Sequence, residues 1–243
     1  MKKIVFATQC FEGDWRRLIL EGGVESKLNK INFNFHKKIL IITNVTDRNL
    51  VENNVKILID RGVIDKYYFT EDFSKEVLDY FEITEESFKG GYWYSIAPLT
   101  ALFKSDGDYI LYLTGDSTIE PKDVNWLQKG ISMMEINQNI KVVNPIWNHS
   151  YNDLINEEME LKGEINTSND EWSYGVGFSD QCFLVHINTF KNKIYNESNH
   201  ISDKYYPNYA GESFEKRVSS YLRNNGYYRI TSREISYLHP NYN

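Results

Sequence analysis

The sequence predicts an α/β fold in which helices flank a mostly parallel sheet. Short apolar segments, typical of strands that are buried on both faces, alternate along the chain with segments of helical periodicity. The first three apolar segments, residues 3–8, 38–43 and 66–70, are separated by predicted helices. That order of strand, helix and strand favours right-handed crossovers and parallel pairing. At 243 residues, the chain is long enough for one large domain with a substantial core.

Apolar spacing predicts the helices between and after these strands. Residues 15–29 carry apolar side chains at helical spacing, although Gly22 and Gly23 weaken that helix. Residues 49–61 form the second predicted helix, and Gly62 provides its C-terminal stop. Further helices are predicted over residues 74–81, 92–104, 123–137 and 212–225, and further strands over residues 109–113, 140–143, 181–187 and 227–231.

An acidic residue follows the predicted strand of residues 109–113. Asp106 and Gly107 favour a turn before the strand, and Pro121 suits the first turn of a helix, which we expect to begin there. Asp116 therefore lies just past the carboxyl end of a buried strand, where open α/β sheets bind their ligands. A loop Asp that only caps a turn would give the same local pattern.

Composition argues against several classes of partner. The net charge is −7 and no basic run is present, which argues against nucleic acid and allows at most peripheral contact with a membrane. Cys10 and Cys182 are too few and too far apart for a disulfide framework or a metal pattern. No stretch is long enough for a membrane span, and the apolar run at the N-terminus is too short for a signal peptide. We therefore expect a cytoplasmic protein.

Two segments resemble GT-A glycosyltransferases, in particular the family-2-like members. Residues 107–116 resemble the strand that leads into their Asp-x-Asp motif, which holds a metal and the diphosphate of a nucleotide sugar. Residues 211–231 resemble their Gly-Glu-Asp block, in which an acidic pair opens a helix that a strand follows. The sequence departs from both motifs, because Thr114 replaces the first Asp of one and Ser213 replaces the Asp that acts as the base in the other.

The resemblance, which covers residues 90–135 and 175–231, implies a GT-A-type, Rossmann-like fold with a mixed, mostly parallel sheet. It implies one domain over residues 1–243, with a nucleotide-sugar-binding half (1–121) and an acceptor-side half (122–243). The implied activity is that of a glycosyltransferase of the hexosyltransferase class. Such an enzyme moves a sugar from a nucleotide-diphosphate sugar to a hydroxyl of a glycan or glycolipid, here with inversion and with the assistance of Mn²⁺ or Mg²⁺.

The same resemblance implies roles for four side chains. Asp116 would be an oxygen ligand of the metal, and His239 would be its second ligand. Glu212 would be the base that removes the proton of the acceptor hydroxyl, with Asp180 as the reserve candidate. Each residue also has an ordinary interpretation, since a His before a Pro is typical of a surface and an acid in a first helical turn stabilises the helix dipole.

The resemblance also implies a nucleotide pocket. Thr8, Asn44 and Asp47 lie at the ends of the first two predicted strands and are candidates for binding the nucleotide. Thr114 and Asp116 would complete that donor site. Residues 147–175 are polar and acidic, and they are either an acceptor-side insertion or a solvated loop with a surface helix.

Two alternatives to a glycosyltransferase stay open. A degenerate GT-A domain that binds a sugar or a partner protein without catalysis would show the same departures at Thr114 and Ser213. A nucleotidyltransferase shares the sheet and the metal chemistry. It usually has a Gly-rich, basic loop after its first strand, and residues 10–17 match that loop poorly.

Overall fold

The computed structural model describes residues 2–120, 125–161, 171–206 and 208–240. Its strands are β1 (Ile4–Cys10), β2 (Lys37–Ile42), β3 (Lys66–Phe69), β4 (Tyr109–Leu113), β5 (Thr118–Glu120), β6 (Ile140–Trp147), β7 (Trp172–Gly175), β8 (Cys182–His186) and β9 (Tyr228–Leu238). In the described parts of the chain they form one mixed sheet in the order β3-β2-β1-β4-β8-β6-β9-β5, and β7 also pairs with β9.

Helices lie between most of these strands. They are α1 (Gly23–Ile31), α2 (Arg48–Asp60), α3 (Thr70–Phe81), α4 (Tyr92–Lys104), α5 (Trp126–Ile136), α6 (Tyr151–Glu160), α7 (Ile187–Phe190), α8 (Ser202–Tyr205) and α9 (Phe214–Asn224). A π-helical turn, Arg16–Leu20, precedes α1, and short 3₁₀ turns occur at Glu86–Phe88 and Asn208–Ala210. None of the helices in the described residues combines the length and the apolar character that a membrane span requires.

The first four strands of the sheet order, β3, β2, β1 and β4, are parallel. Thr8 in β1 pairs with Leu40 of β2 on one side and with Leu113 of β4 on the other. The side chains of β4 are all buried, and those of β1 nearly so, because apolar clusters lie on both faces of the sheet. The predicted fold class is confirmed, and the carboxyl ends of β1, β2 and β4 lie at one edge.

β8 runs in the opposite direction to both of its neighbours in the sheet. It runs antiparallel between β4 and β6, whereas β9 is parallel to β6. Leu113, the last residue of β4, pairs with Cys182, the first residue of β8. The loop after β4 and the loop before β8 therefore lie side by side at the carboxyl edge of β4.

The helix that follows Asp116 is described from a later residue than the predicted start. Residues Thr118–Glu120 form β5, which pairs antiparallel with β9, and the next described helix begins at Trp126. Ile119 is fully buried opposite Tyr237, so this short strand, which was not predicted, packs into the core. The part of the prediction that falls on residues 121–124 lies outside the described residues.

One helix differs from its predicted form, and another has the predicted bounds although it contains a proline. The predicted helix over residues 15–29 is divided into the π-helical turn and α1, because Gly22 adopts a φ of 76° between them. Pro98 lies inside α4, which runs from Tyr92 to Lys104 as predicted, so the proline does not mark the first turn of that helix.

The described parts of the acidic stretch of residues 147–175 include regular secondary structure. It contains α6 and β7, and β7 pairs with β9 through residues such as Trp172. Leu154 and Leu161 are buried, and Trp172 belongs to one of the core clusters, so this stretch contributes apolar side chains to the interior. The interpretation of this stretch also covers residues 162–170, which lie outside the described residues.

Candidate active site

Two residues that are far apart in the sequence meet at the carboxyl edge of the sheet. Asp116 follows β4, and His239 follows β9. The Nε2 atom of His239 lies 2.9 Å from Oδ2 of Asp116. His239 is buried, whereas the Asp116 side chain keeps 27% of its exposure. The structure therefore brings the two predicted metal ligands into contact.

The environment of Asp116 favours its charged form. Burial alone would raise the pKa of the Asp116 carboxyl. The hydrogen bond and charge of His239, together with the hydroxyl of Thr114, outweigh burial and hold this pKa below its usual value. Asp116 is thus an ionised carboxylate near neutral pH, as a metal ligand must be.

The turn that carries Asp116 is held by a buried lysine. The Nζ atom of Lys27 donates to the carbonyl oxygen of Thr114 at 3.0 Å and also to that of Ser117. The hydroxyls of Thr114 and Ser117 lie 2.7 Å apart. Thr114, which stands where the resemblance expects an acid, therefore uses its side chain to fix the turn.

Asp14 packs directly against the same turn. A Cβ atom on Gly115 would lie 2.4 Å from Oδ2 of Asp14 and 2.4 Å from the backbone oxygen of Gln9, so only glycine fits. Burial raises the pKa of Asp14 to about 6, and the negative charge of Asp116 adds to this increase. Sequence reasoning did not identify Asp14, although it lies in the loop that follows the first strand.

A second acidic pair joins the loop before β8 to the first turn of α9. The carboxylate of Glu215 accepts hydrogen bonds from the backbone N–H of Asp180 and from the hydroxyl of Ser179. Burial, followed by the charge of Asp116, raises the pKa of Asp180 to about 7. Burial and the charge of Asp180 raise the pKa of Glu215 well above its usual value. Burial and the charges of neighbouring acids thus favour the protonated form of both carboxyls.

Glu212, the predicted base, occupies a different environment. Its carboxylate lies 3.0 Å from Nζ of Lys216 and 3.7 Å from Nζ of Lys89. Ser213 caps α9 by accepting a hydrogen bond from the backbone N–H of Lys216. Glu212 thus precedes the helix, whereas Glu215 lies in its first turn and lines a cavity. Glu215 was missed because the sequence does not show which acid faces that cavity.

The predicted nucleotide-binding residues lie at the ends of β1 and β2 in three different settings. Thr8 is fully buried in β1, so its side chain cannot reach a ligand without a rearrangement of the sheet. Asn44 is exposed with a φ of 49°, and its backbone N–H donates to Glu71 at 2.7 Å. Asp47 caps α2 by accepting a hydrogen bond from the backbone N–H of Leu50 at 3.0 Å.

A cavity of about 380 Å³ opens beside the second acidic pair. Its wall includes aromatic, acidic and hydroxyl side chains, among them Trp147, Asp153, Ser179, Tyr205, Glu215 and Tyr237. The hydroxyl of Tyr237 donates to Ser179 at 3.2 Å, and Ser179 in turn contacts Glu215. A ligand hydroxyl in this cavity would therefore meet Glu215, the member of the acidic pair that lines it.

The donor set at Asp116 suits a divalent cation that is shared with a substrate. Within the described residues, no three His, Cys, Asp or Glu side chains cluster so that they could hold a metal by themselves. Asp116 and His239 supply two ligands, and Mg²⁺ in phosphate-binding sites is commonly held by one or two carboxylates together with substrate phosphates. The pair fits a Mn²⁺ or Mg²⁺ ion that also contacts a diphosphate.

Comparisons with known proteins identify the fold. No family model matches the sequence, and no curated protein sequence matches it. Among solved structures, a mannosyltransferase from Pyrobaculum calidifontis in complex with GDP-Man and Mn²⁺ has a TM-score of 0.55 and 12% identity, over 98% of this chain and 56% of that chain. A mycobacterial protein has a TM-score of 0.52 and 12% identity, over 100% of this chain and 68% of that chain.

The chain therefore has the fold of GT-A glycosyltransferases, with a mixed sheet flanked by helices. This agrees with the resemblance of residues 107–116 and 211–231. The chain spans between about half and two thirds of the length of these two structural neighbours. At 12% identity, the likeness establishes the fold, and the activity has to be argued from the site.

Proposed function

We propose that this protein is a glycosyltransferase that moves a hexosyl group from a nucleotide-diphosphate sugar to a hydroxyl of a saccharide or a lipid-linked saccharide. One observation carries the proposal: the Asp116–His239 pair and the Asp180–Glu215 pair lie at the same edge of a GT-A sheet. The first pair suits the diphosphate of a donor, and the second suits the hydroxyl of an acceptor.

The donor would bind over the carboxyl ends of β1, β2 and β4, in the half formed by residues 1–121. Asp116 and His239 would hold a Mn²⁺ or Mg²⁺ ion, which when bound offsets the negative charge on the departing diphosphate. Asn44 and Asp47 are our candidates for contact with the nucleoside, because both are exposed at the end of β2. The neighbouring mannosyltransferase was solved with GDP-Man and Mn²⁺, which supports this class of donor.

Asp180 is our candidate for the catalytic base. A carboxyl with a pKa of about 7 is suited to accepting a proton from a hydroxyl near neutral pH. The acceptor oxygen would attack the anomeric carbon, its proton would pass to Asp180, and the bond from that carbon to the diphosphate would break, with inversion. Glu215 would position Asp180 through their hydrogen bond. Glu212, held by Lys216 and Lys89, is the weaker candidate.

The acceptor would occupy the 380 Å³ cavity, which belongs to the half formed by residues 122–243. The aromatic side chains of Trp147 and Tyr205 offer faces against which the C–H groups of a sugar ring can pack. Asp153 and Ser179 offer hydrogen-bonding groups for its hydroxyls. A saccharide matches this combination of aromatic and polar walls better than a purely apolar ligand does.

Thermal unfolding with a panel of UDP-, GDP-, CDP- and dTDP-sugars, each with and without Mn²⁺, tests the proposal. A donor at about 100 times its dissociation constant should stabilise the protein by about 2.7 kcal/mol. We expect one nucleotide class to give a shift that needs Mn²⁺ and disappears in Asp116→Ala. Asp106→Ala is the matched control, because Asp106 lies before β4 and makes an exposed ion pair with Lys37.

The outcomes separate the proposal from its alternatives. A Mn²⁺-dependent shift followed by slow hydrolysis of the same donor, which Asp180→Asn abolishes, supports a transferase. A shift without hydrolysis or transfer to any saccharide would instead support a binding module. Absence of a shift with every donor in the panel would contradict the proposal.

A further inference from the structure

A guanidinium lies against the turn that carries Asp116. The Nη2 atom of Arg17 donates a hydrogen bond to the carbonyl oxygen of Gly115 at 3.0 Å. Arg17 belongs to the π-helical turn Arg16–Leu20, which buries Leu18 and Ile19 and leaves the Arg17 side chain 49% exposed. A π-helical turn is rare and often occurs at a functional site. This one places an accessible cation beside the proposed metal ligand.

The contacts around this turn leave the guanidinium of Arg17 available to bind a ligand. Two cationic side chains donate to its carbonyl oxygens, Lys27 and Arg17. Lys27 is 4% exposed and is fully engaged beneath the turn, so it cannot contact a ligand. Arg17 makes one hydrogen bond to Gly115 and lies 4.0 Å from Oδ2 of Asp14. Since a guanidinium has five N–H donors, most of its hydrogen-bonding capacity remains available for a ligand.

The charge balance shows which ligand group this arginine fits. A diphosphate that approached Asp116 would also come near the carboxyl of Asp14, which packs against Gly115. A metal held by Asp116 would offset the charges of these two acids, but the diphosphate brings further negative charge of its own. Arg17, on the exposed side of the same turn, offsets remaining negative charge. Its planar guanidinium can donate to two phosphate oxygens at once.

We propose that Arg17 binds the diphosphate of the nucleotide sugar, an inference that rests on the proposed function. The hydrogen bond to Gly115 already restricts the Arg17 side chain, so little conformational freedom is lost when the diphosphate binds. Arg17 thus provides a metal-independent contact to the donor. Asp116, on the same turn, and His239, which follows β9, would provide the metal-dependent contact.

Titration calorimetry with UDP, GDP, CDP and dTDP, each in Mn²⁺ and in EDTA, tests the inference. For the nucleotide that the wild type binds, we expect Arg17→Ala to weaken binding about 10- to 100-fold in both conditions, as loss of a charge-assisted hydrogen bond requires. Arg17→Gln separates the effect of the charge from that of the hydrogen bond to Gly115, because the amide of Gln can still donate that bond. We expect this variant to bind the nucleotide as weakly as Arg17→Ala does. Arg17→Lys should recover part of the affinity.

Arg16→Ala is the matched control. Arg16 is exposed beside Arg17, but its guanidinium lies over the ring of Trp15 at 4.4 Å and pairs with Glu12. This variant should bind as the wild type does. If Arg17→Ala and Arg17→Gln bind normally while Asp116→Ala does not, the role of Arg17 is wrong and the proposed function stands. If the wild type binds none of the four nucleotides, both proposals are wrong.

Discussion

The carboxamide of Asn148 hydrogen-bonds both backbone polar groups of His239. Its Oδ1 atom accepts from the N–H of His239 at 2.9 Å, and its Nδ2 atom donates to the carbonyl oxygen at 3.3 Å. The backbone N–H of Asn148 also donates to Tyr237 at 2.9 Å. Asn148 adopts a φ of 42°, a conformation that asparagine tolerates better than most residues. The contact between His239 and Asp116 therefore depends on Asn148.

Replacement of Asn148 should affect both stability and metal binding. We expect Asn148→Ala to lower the free energy of unfolding by about 1–3 kcal/mol, because it removes two hydrogen bonds and leaves their backbone partners unpaired. It should also raise the Mn²⁺ concentration needed for the donor-induced thermal shift. Asn148→Asp, which keeps an acceptor for the N–H of His239, should have a smaller effect. An unchanged Mn²⁺ requirement in Asn148→Ala would show that His239 is not a ligand.

Asp180 should make the stability of the protein depend on pH. Its pKa rises from 3.8 to about 7 on folding, so between about pH 4 and pH 7 the folded state holds a proton that the unfolded state has lost. The free energy of unfolding therefore falls as the pH rises through this window, and the lost stability is not recovered above pH 7.

A comparison of the wild type with Asp180→Asn isolates the effect of Asp180 on the pH dependence of stability. At pH 8 we expect the variant to be more stable than the wild type by about 2–4 kcal/mol, and the difference should shrink toward pH 4. Urea unfolding at a series of pH values measures it. A difference that does not change with pH would mean that Asp180 titrates normally in the folded protein.

Lys27 should be needed for the shape of the turn that carries Asp116. We expect Lys27→Met to destabilise the protein by about 1–3 kcal/mol, because the carbonyl oxygens of Thr114 and Ser117 lose their donor. The donor-induced thermal shift should weaken as well. Lys30→Met is the control, since Lys30 is exposed on the same helix and donates only to the hydroxyl of Thr118. Equal effects of the two substitutions would contradict the role of Lys27.

Gly115 should tolerate no side chain. We expect Gly115→Ala to destabilise the protein by about 1–3 kcal/mol, because the new Cβ would overlap Asp14 and the backbone oxygen of Gln9. Addition of Asp14→Ala relieves only the first overlap, so the double variant should remain less stable than Asp14→Ala alone. Denaturant unfolding of the three variants gives the comparison. Full recovery in the double variant would show that the backbone at Gln9 moves freely.

Much of the fold could be predicted because its strands are buried on both faces. The continuous apolar segments that form β1, β2 and β4 suit a sheet that is covered by helices on both faces. β5 could not be predicted, since its three residues are too few for a pattern and Pro121 suggests a helix. The length of β9, which carries the chain to His239, depends on pairing with β5, β6 and β7.

The candidate site was predictable where a single residue follows a buried strand, as Asp116 does. The pairing of Asp116 with His239 could be predicted only through the resemblance to GT-A glycosyltransferases, and their role as metal ligands stays a prediction. Glu215 was not predictable, because the choice between it and Glu212 depends on where α9 begins. That start is set by Ser213, whose side chain caps the helix at the position where the resemblance expects a catalytic acid.

The described segment of residues 150–161 follows β6 and contains α6. Four of its side chains line the cavity, namely Ser150, Asp153, Leu154 and Glu160, and Asp116 and Asp180 lie outside the segment. Such a segment can be lengthened or exchanged while both acids keep their positions. Under the proposed function, changes in this segment would alter part of the acceptor wall and leave the donor-binding residues in place.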